Sequence, residues 1–196
     1  MKDDADKDQG KRQAILESAF GVFAQYGFQR TSMTDIARAA GMSRPALYQY
    51  FDGKEDIARS LVTAFYDEAC AAIDGALNGP GTVPELLRAA FRAKSGRLME
   101  TLLSSPHGED MLEIGNVIAA QEAAQGRARI VATLGDWLAR MVRDGRIRLD
   151  DPPEQMADSM IAALEGAKAA GRAPDYASYL AHLDRMARIF GAALEI

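Results

Sequence analysis

Cysteine, histidine and tryptophan are scarce in this chain of 196 residues, which contains one cysteine, two histidines and one tryptophan. The single thiol, Cys70, excludes an intrachain disulfide and a cysteine zinc cluster. His107 and His182 lie far apart, without the short spacings at which two histidines bind one metal ion. The sequence therefore predicts no metal and no other cofactor. We interpret Cys70 as a small buried side chain, with a redox sensor as the alternative.

Long apolar runs are also absent, since no stretch approaches the roughly 18 apolar residues that a membrane-spanning helix requires. Residues 1–10 are rich in Asp and Lys and lack the apolar run of a secretory signal. We expect residues 1–10 to form a disordered tail. At 48% hydrophobic residues, the rest of the chain is apolar enough to fold. These features predict a soluble, cytoplasmic protein.

An overall excess of positive charge is lacking as well: the net charge is −5 and the isoelectric point is about 5.1. A uniformly basic surface is therefore excluded. The charges are unevenly distributed, however, because residues 11–54 contain six basic and three acidic side chains. From Leu61 onward, 14 basic residues are outnumbered by 19 acidic ones. The positive surface should lie near the N-terminus, where it suits a polyanionic partner.

Apolar residues recur at helical spacing through most of the sequence, and no strand pattern competes with them. The fold class should therefore be all-α, with about nine helices. Glycine and proline mark many of the predicted helix ends. The predicted helices cover residues 11–26, 33–40, 44–50, 54–78, 84–103, 109–118, 119–144, 153–170 and 175–195.

Two short helices separated by one tight turn are predicted within residues 28–51. Ser32 and Asp35 have the spacing of a capping box, in which each side chain accepts from the backbone of the other. Gly41 can adopt the left-handed conformation that ends the first helix. Ser43 caps the second helix, and Pro45 is tolerated in its first turn. This arrangement is typical of a helix-turn-helix.

The outward side of the second helix is polar and aromatic. Arginine and glutamine can recognise base edges in a major groove, and tyrosine hydroxyls can bind phosphates. Taken alone, the pattern is also compatible with two helices that simply pack together. The residues predicted on this outward surface are Arg44, Ala46, Tyr48, Gln49 and Tyr50.

Several positions in and around the motif resemble the DNA-binding domain of the TetR family of transcriptional regulators. The similar runs are residues 32–37, 40–43, 47–51 and 54–55, within a resemblance that covers residues 13–61. The resemblance implies an N-terminal three-helix helix-turn-helix DNA-binding domain and a C-terminal helical domain for ligand binding and dimerisation. We therefore predict a DNA-binding domain at 11–53, a connecting helix at 54–78 and an effector-binding and dimerisation domain at 79–196.

Ten residues are the candidates for DNA contact. Most belong to the recognition surface or to the chain leading into the motif, and Lys54 corresponds to a lysine that binds a DNA phosphate in the family it resembles. At the first turn of its helix, the positive charge of Lys54 opposes the helix dipole, which a phosphate would compensate. The ten candidates are Thr31, Ser32, Thr34, Arg44, Pro45, Ala46, Tyr48, Gln49, Tyr50 and Lys54.

The C-terminal part offers candidates for an effector pocket. Apolar residues at helical spacing usually form packed core, and the pocket is implied by the resemblance, because the body domains of TetR regulators usually bind a small effector. The apolar candidates are Phe91, Met99, Leu102, Met111, Ile114, Ile118, Trp137, Met141 and Met160. The polar candidates are His107, Glu113, Asn116 and Glu165.

The last two predicted helices carry more apolar surface than one buried face requires, which suggests that they pair with a second copy of the chain. An ordinary monomer core is the alternative. The residues assigned to this interface are Met160, Leu164, Tyr176, Leu180, Leu183, Ala187 and Phe190.

The sequence thus predicts a non-enzymatic, dimeric repressor that is released from a near-palindromic DNA operator by a small apolar or amphipathic effector. An all-helical enzyme is disfavoured, because no recognisable nucleophile or metal spacing is present. The other alternative is a helical protein-interaction module that kept the fold without sequence-specific DNA binding.

Overall fold

The computed structural model describes residues 2–108, 111, 117–166 and 175–194, and in these ranges the chain is helical with no strand. The all-α prediction is confirmed. The predicted helix at 109–118 and the connector at 171–174 lie mostly or wholly outside the described residues. The observed helices are α1 (Lys2–Tyr26), α2 (Met33–Ala39), α3 (Arg44–Leu47), α4 (Lys54–Leu77), α5 (Val83–Ser104), α6 (Ala120–Arg143), α7 (Pro153–Glu165) and α8 (Tyr176–Leu194). Within the part of the chain that the structure describes, none of the helices is long and apolar enough to cross a bilayer.

The chain divides into two compact units. We call Met1–Ala64 together with Ser104–Ala123 the head unit, and Phe65–Leu103 together with Ala124–Ile196 the body unit. The division differs from the predicted one, because it falls within α4 and because 104–123 joins the head. Met111 and Ile118 explain the second difference, since both pack against the hydrophobic core of the head unit.

Helix α1 begins much earlier than the sequence predicted. It starts at Lys2, so that the disordered tail predicted at 1–10 is helical from its second residue. No proline interrupts this stretch. Once the packed part of the helix has nucleated, each added residue contributes one more backbone hydrogen bond at little further cost. The helix ends where predicted, at Gly27, which has a φ of 82°.

The turn between α2 and α3 has the predicted design. Ser32 caps α2: its hydroxyl accepts from the Asp35 N–H at 3.3 Å, and the Asp35 carboxylate accepts from the Ser32 N–H at 3.0 Å. At the other end, Gly41 has a φ of 66° and the Met42 N–H donates to the Ala37 carbonyl at 3.0 Å. This is a Schellman ending, which satisfies carbonyls that the helix leaves unpaired.

The head core is formed by side chains from all four N-terminal helices and the chain between them. The rings of Phe23 and Phe28 pack with their centroids 5.1 Å apart. Burial of each such side chain contributes roughly 1.5–3 kcal/mol. Because one core joins α1, α2, α3 and the start of α4, the position of α3 is set by its buried side. The fully buried members include Ile15, Phe23, Ile36, Leu47, Phe51 and Ile57.

The body unit is packed closely enough that two of its glycines lie against other side chains. A Cβ at Gly126 would overlap the ring of Tyr66 on α4, and a Cβ at Gly191 on α8 would lie 2.8 Å from Pro84 on α5. The Phe91 and Phe190 rings meet edge to face, with centroids 6.4 Å apart. Helices α5 and α8 therefore approach closely where Gly191 meets Pro84.

Replacing Gly191 with Ala should lower the free energy of unfolding by about 1–3 kcal/mol, because the added methyl would overlap the backbone and ring of Pro84. Gly75→Ala is the control. Gly75 is an exposed helical glycine of the same unit with nothing within 4 Å of its added Cβ, so alanine there should raise stability by about 0.4–1 kcal/mol. Urea unfolding of both variants measures the difference, and equal effects would contradict the close packing at Gly191.

Candidate nucleic-acid interface

Residues 44–50, called the recognition segment below, begin as predicted and leave the helix earlier. Ser43 caps α3, with its hydroxyl accepting from the Ala46 N–H at 3.3 Å, and Pro45 lies in the first turn. Helix α3 ends at Leu47, whereas the sequence predicted a helix to residue 50. The segment then continues in turns, and the Phe51 N–H donates back to the Leu47 carbonyl at 3.2 Å.

The recognition segment separates its inward and outward side chains as predicted. Leu47 is fully buried in the head core, whereas Arg44, Pro45, Tyr48 and Gln49 are exposed. Ala46 and Tyr50 are half-buried. The exposed side chains therefore form one polar and aromatic surface.

Arg44 and Tyr48 contact each other on that surface. The Arg44 guanidinium donates to the Tyr48 hydroxyl at 3.3 Å and lies 5.5 Å from the centre of its ring. A cation near an aromatic face at this distance is attracted to the ring quadrupole. This contact orients the guanidinium while leaving several N–H donors for another molecule.

The three candidates that precede the recognition segment differ in their surroundings. Thr34 is exposed at the start of α2. The Ser32 hydroxyl is engaged in the capping box, where it donates to Asp35 at 2.6 Å, and these bonds lower the pKa of the Asp35 carboxyl. The prediction of a DNA contact through the Thr31 side chain is wrong. Thr31 is 4% exposed, and its hydroxyl donates to the Gly27 carbonyl at 2.8 Å, so it closes the turn after α1.

Lys54 occupies an unexpected position. Its ammonium donates to the carbonyls of Phe28, Gln29 and Thr31 at 3.0, 3.3 and 3.3 Å and lies 4.5 Å from the centre of the Phe28 ring. An ammonium has three N–H donors, and all three are directed at backbone. We call these four residues the Lys54 clasp. Lys54 therefore holds the chain that enters α2. In this arrangement its ammonium is not free to bind the DNA phosphate that the sequence predicted as its partner.

Arg12 was not identified from the sequence, although it holds the end of the recognition segment. Its guanidinium donates to the Tyr50 carbonyl at 2.8 Å and to the Ser60 hydroxyl at 3.0 Å. It also lies 4.1 Å from the centre of the Phe51 ring. These partners are 38 to 48 residues away in sequence, so no local pattern could have shown them.

Arg30 and His107 also meet within the head unit. The Arg30 guanidinium donates to the Tyr26 carbonyl at 2.9 Å and lies 2.6 Å from His107 Nε2. Since arginine only donates, His107 Nε2 is the acceptor in this contact. His107 is therefore placed in the head unit, and its predicted role as a polar contact for an effector in the body is wrong.

The remaining effector candidates divide between the two units. Met111 and Ile118 pack against the head core, so their assignment to a pocket between body helices is wrong. Ile114, Glu113 and Asn116 lie outside the described residues. The other apolar candidates are buried side chains of the body unit, which agrees with a packed core as well as with a pocket; they are Phe91, Met99, Leu102, Trp137, Met141 and Met160.

A buried charged group in the body unit was missed at the sequence level. Lys94 on α5 is only 3% exposed and lies 3.9 Å from the carboxylate of Glu165, at the end of α7. Glu165 accepts from Arg127 at 3.0 Å, and Arg127 also pairs with Asp158 at 2.6 Å. Burial lowers the pKa of the Lys94 ammonium more than the Glu165 carboxylate raises it. The helical pattern around Lys94 gave no sign that its side chain points inward.

Most residues assigned to a dimer interface are used within the chain itself. Phe190 packs on Phe91, and Tyr176 and Leu180 are half-buried. The outward apolar residue of α8 is Ile189, which is 54% exposed. Four of the residues assigned to the interface are already buried within the single chain, namely Met160, Leu164, Leu183 and Ala187, and the interface itself stays a prediction.

Comparison with known proteins identifies the head. Residues 15–61 match the family model for bacterial regulatory proteins of the tetR family. The chain is 34% identical over 87 residues to the HTH-type transcriptional regulator BetI of Rhizobium meliloti, an alignment that covers 42% of this chain and 43% of that protein. The chain thus spans less than half the length of this relative.

Other similarities extend over the whole chain at lower identity. The HTH-type transcriptional repressor ComR of Escherichia coli is 24% identical over 94% of this chain and 88% of its own. A TetR-family transcriptional regulator from Cytophaga hutchinsonii has the same fold, with a TM-score of 0.74 at 21% identity and 97% of each chain covered. Residues 15–61 thus match the helix-turn-helix of the bacterial tetR family, and the relatives that the chain resembles are named as regulators with this motif.

Proposed function

We propose that this protein is a DNA-binding transcriptional regulator, and not an enzyme, which acts as a homodimer. It represses transcription from a near-palindromic operator until a small-molecule effector releases it. The observation that carries the proposal is the recognition segment, whose buried Leu47 fixes it to the head core while Arg44 and Gln49 remain exposed. Both side chains can form paired hydrogen bonds with base edges in the major groove.

Repression is supported by the names of two relatives. ComR and the HTH-type transcriptional repressor KstR2 of Rhodococcus jostii are both named as repressors, and KstR2 is 36% identical over 66 residues. Those residues make up 34% of this chain, and the recognition segment lies in the N-terminal region that the family model covers. A protein bound over a promoter excludes polymerase, which makes repression the simplest outcome of sequence-specific binding.

The dimer is supported by an outward apolar strip on α8. Ile189 is exposed and Met186, one turn earlier, is half-buried, while Ala162 and Ala163 on the neighbouring α7 offer small side chains. Small residues allow helices to approach closely across a two-fold axis. Two recognition segments related by that axis would enter successive major grooves about 34–36 Å apart.

Release by an effector requires that the ligand distinguish two arrangements of the protein. DNA affinity falls only as far as the effector binds one arrangement better than the other. Helix α4 begins at the Lys54 clasp in the head and continues into the body unit. It is therefore one route by which a ligand in the body would bias the head, and α6, which also has residues in both units, is another.

Arg44→Ala and Gln49→Ala should each weaken binding to the best site by roughly 1–3 kcal/mol and broaden the recovered sequences at one position per half-site. The measurement is selection of bound duplexes from a random pool, followed by equilibrium titration. Arg148→Ala is the matched control, since the Arg148 side chain is 81% exposed in the body unit and pairs only loosely with Asp150, at 3.7 Å.

Recovery of one inverted repeat by the wild type supports a homodimer that recognises a specific DNA sequence. If the folded wild type selects no sequence at all, the protein is a helical interaction module and the proposed function is wrong. An unchanged preference in Arg44→Ala would remove that residue alone from base recognition.

Lys54→Met tests whether Lys54 supports the head or binds phosphate. Because its three donors are satisfied by backbone carbonyls, the variant should lose about 1–3 kcal/mol of unfolding free energy. The slope of log K for DNA against log salt should stay the same, whereas a lost phosphate contact lowers it by about one. Urea unfolding and salt titrations give the two quantities. A reduced slope at full stability would restore the phosphate role.

Ile189→Glu should convert the dimer to a monomer, because a carboxylate would be buried against the second copy without a partner. Light scattering coupled to size-exclusion chromatography measures the mass. Val142→Glu on α6 is the control, since Val142 is 38% exposed and lies outside the proposed strip. If Ile189→Glu remains a dimer with full stability, the two-fold axis must lie elsewhere.

A further inference from the structure

Lys94 is the one described lysine with a nearly inaccessible side chain, at 3% exposure. Burial of an ammonium is costly unless the charge is paired and its N–H groups have acceptors. The nearest carboxylate oxygen, Glu165 Oε1, is 3.9 Å away, which is too far for a hydrogen bond. Glu165 is thus an ion-pair partner of Lys94 and not a hydrogen-bond acceptor for it. The ammonium is therefore buried with three donors and a loosely held counter-ion.

Glu165 is engaged more closely by another cation. Its Oε2 accepts from Arg127 at 3.0 Å, and Arg127 has a second carboxylate partner, Asp158, at 2.6 Å. Both acids lie toward solvent, with Glu165 33% and Asp158 55% exposed. The innermost charge of the cluster is thus positive, and the negative charges are on its open side.

Glu165 lies at the end of its helix. It is the last residue of α7, and Gly166 follows it as the C-cap. A side chain at the end of a helix can change rotamer without disturbing the hydrogen bonds of the turns before it. If Glu165 moved away, Lys94 and Arg127 would both be available to a different carboxylate, while Arg127 would keep its bond to Asp158.

Two tyrosines lie near Glu165, and apolar side chains are buried on the same helix as Lys94. The Ser95 hydroxyl, fully buried beside Lys94 in sequence, donates to the Tyr179 hydroxyl at 3.1 Å. Burial and the Glu165 carboxylate raise the pKa of the Tyr66 hydroxyl, so Tyr66 remains a neutral donor. Phe91 and Met99 lie one turn before and after Ser95 on the same side of α5, and both are 2% exposed. The surroundings suit a molecule with one anionic group and an apolar body.

We propose that the body unit binds an amphipathic organic acid whose carboxylate takes the place of Glu165 between Lys94 and Arg127. The identification of this acid as the effector rests on the proposed function, whereas the binding site itself does not. A neutral ligand would leave the Lys94 donors unsatisfied, and a cationic ligand would be repelled by the buried ammonium. A carboxylate supplies a negative charge and acceptor oxygens for both cations.

The test uses the full chain and three eight-carbon probes that differ only in their head group: octanoate, 1-octanol and octylamine. Calorimetric titration should show octanoate binding about tenfold or more tightly than 1-octanol, the scale of one hydrogen bond to a charged group, with octylamine the weakest. In Lys94→Met, octanoate should fall to the affinity of 1-octanol while 1-octanol stays unchanged. Lys11→Met, at an exposed position, is the matched control.

Glu165→Gln separates a binding site from a purely structural ion pair. Removal of the competing carboxylate should tighten octanoate binding several-fold, whereas loss of a structural partner would only lower stability. This variant also keeps the test valid if Lys94→Met does not fold, which circular dichroism would show. Equal affinity for octanoate and 1-octanol in the wild type, or a retained preference for octanoate in Lys94→Met, would overturn the proposal. Absence of octanoate binding at millimolar concentration would overturn it as well.

Measuring operator binding with the same protein preparations tests the acid-binding site and the proposed regulator function separately. Octanoate binding that depends on Lys94, in a protein that selects no DNA sequence, would leave the site intact and refute the regulator. Sequence-specific DNA binding without any preference for octanoate would refute the acid site alone. Release of DNA by octanoate in the wild type but not in Lys94→Met would establish the acid as an effector.

Discussion

The structure of the head unit depends on the Lys54 ammonium and the three carbonyl oxygens to which it donates. Between α1 and α2 the chain forms no helix, although the Phe28 carbonyl accepts from the Thr31 N–H at 3.2 Å. The carbonyls of Phe28, Gln29 and Thr31 all find partners from elsewhere in the chain. Lys54 supplies them from the first residue of α4. The clasp thereby fixes where α2 begins, and the Schellman turn at Gly41 then fixes the direction in which α3 leaves. Together with the burial of Leu47, these contacts hold the recognition segment at the surface of the head.

Local rules predicted the parts of this fold that local interactions determine. The capping box of Ser32 and Asp35, the cap at Ser43 and the turn at Gly41 involve groups no more than five residues apart, and each was predicted from spacing alone. The limits of most helices were predicted within a few residues for the same reason. The N-terminal extension of α1 was missed because the composition of residues 1–10 suggested disorder. No proline interrupts these residues, and the helix begins at Lys2.

What the sequence did not reveal depends on partners that are distant along the chain. Arg12 contacts residues 38 to 48 positions away. Met111 and Ile118 pack against the head core although the whole of α5 lies between them and the first part of the head in sequence. Helical spacing shows that one side of a helix is buried but not which core it joins. The burial of the Lys94 side chain could be seen only in the three-dimensional structure. The sequence also did not show how the basic side chains of the head are used, since Arg12, Arg30 and Lys54 all donate to backbone carbonyls there. Their charge still contributes to the electrostatic field, although their donors are occupied.

The head unit is discontinuous in sequence, because residues 65–103 intervene between its two parts. During synthesis, the ribosome therefore releases the recognition segment well before Met111 and Ile118 exist to cover the head core. At roughly 5–20 residues per second, the intervening chain takes about 2–8 s to make. A nascent chain thus passes through an interval in which its helix-turn-helix is complete in sequence and incomplete in packing. The second part of the head, Ser104–Ala123, is made before the last part of the body unit, Ala124–Ile196, so the head has all its residues while the body is still being synthesised.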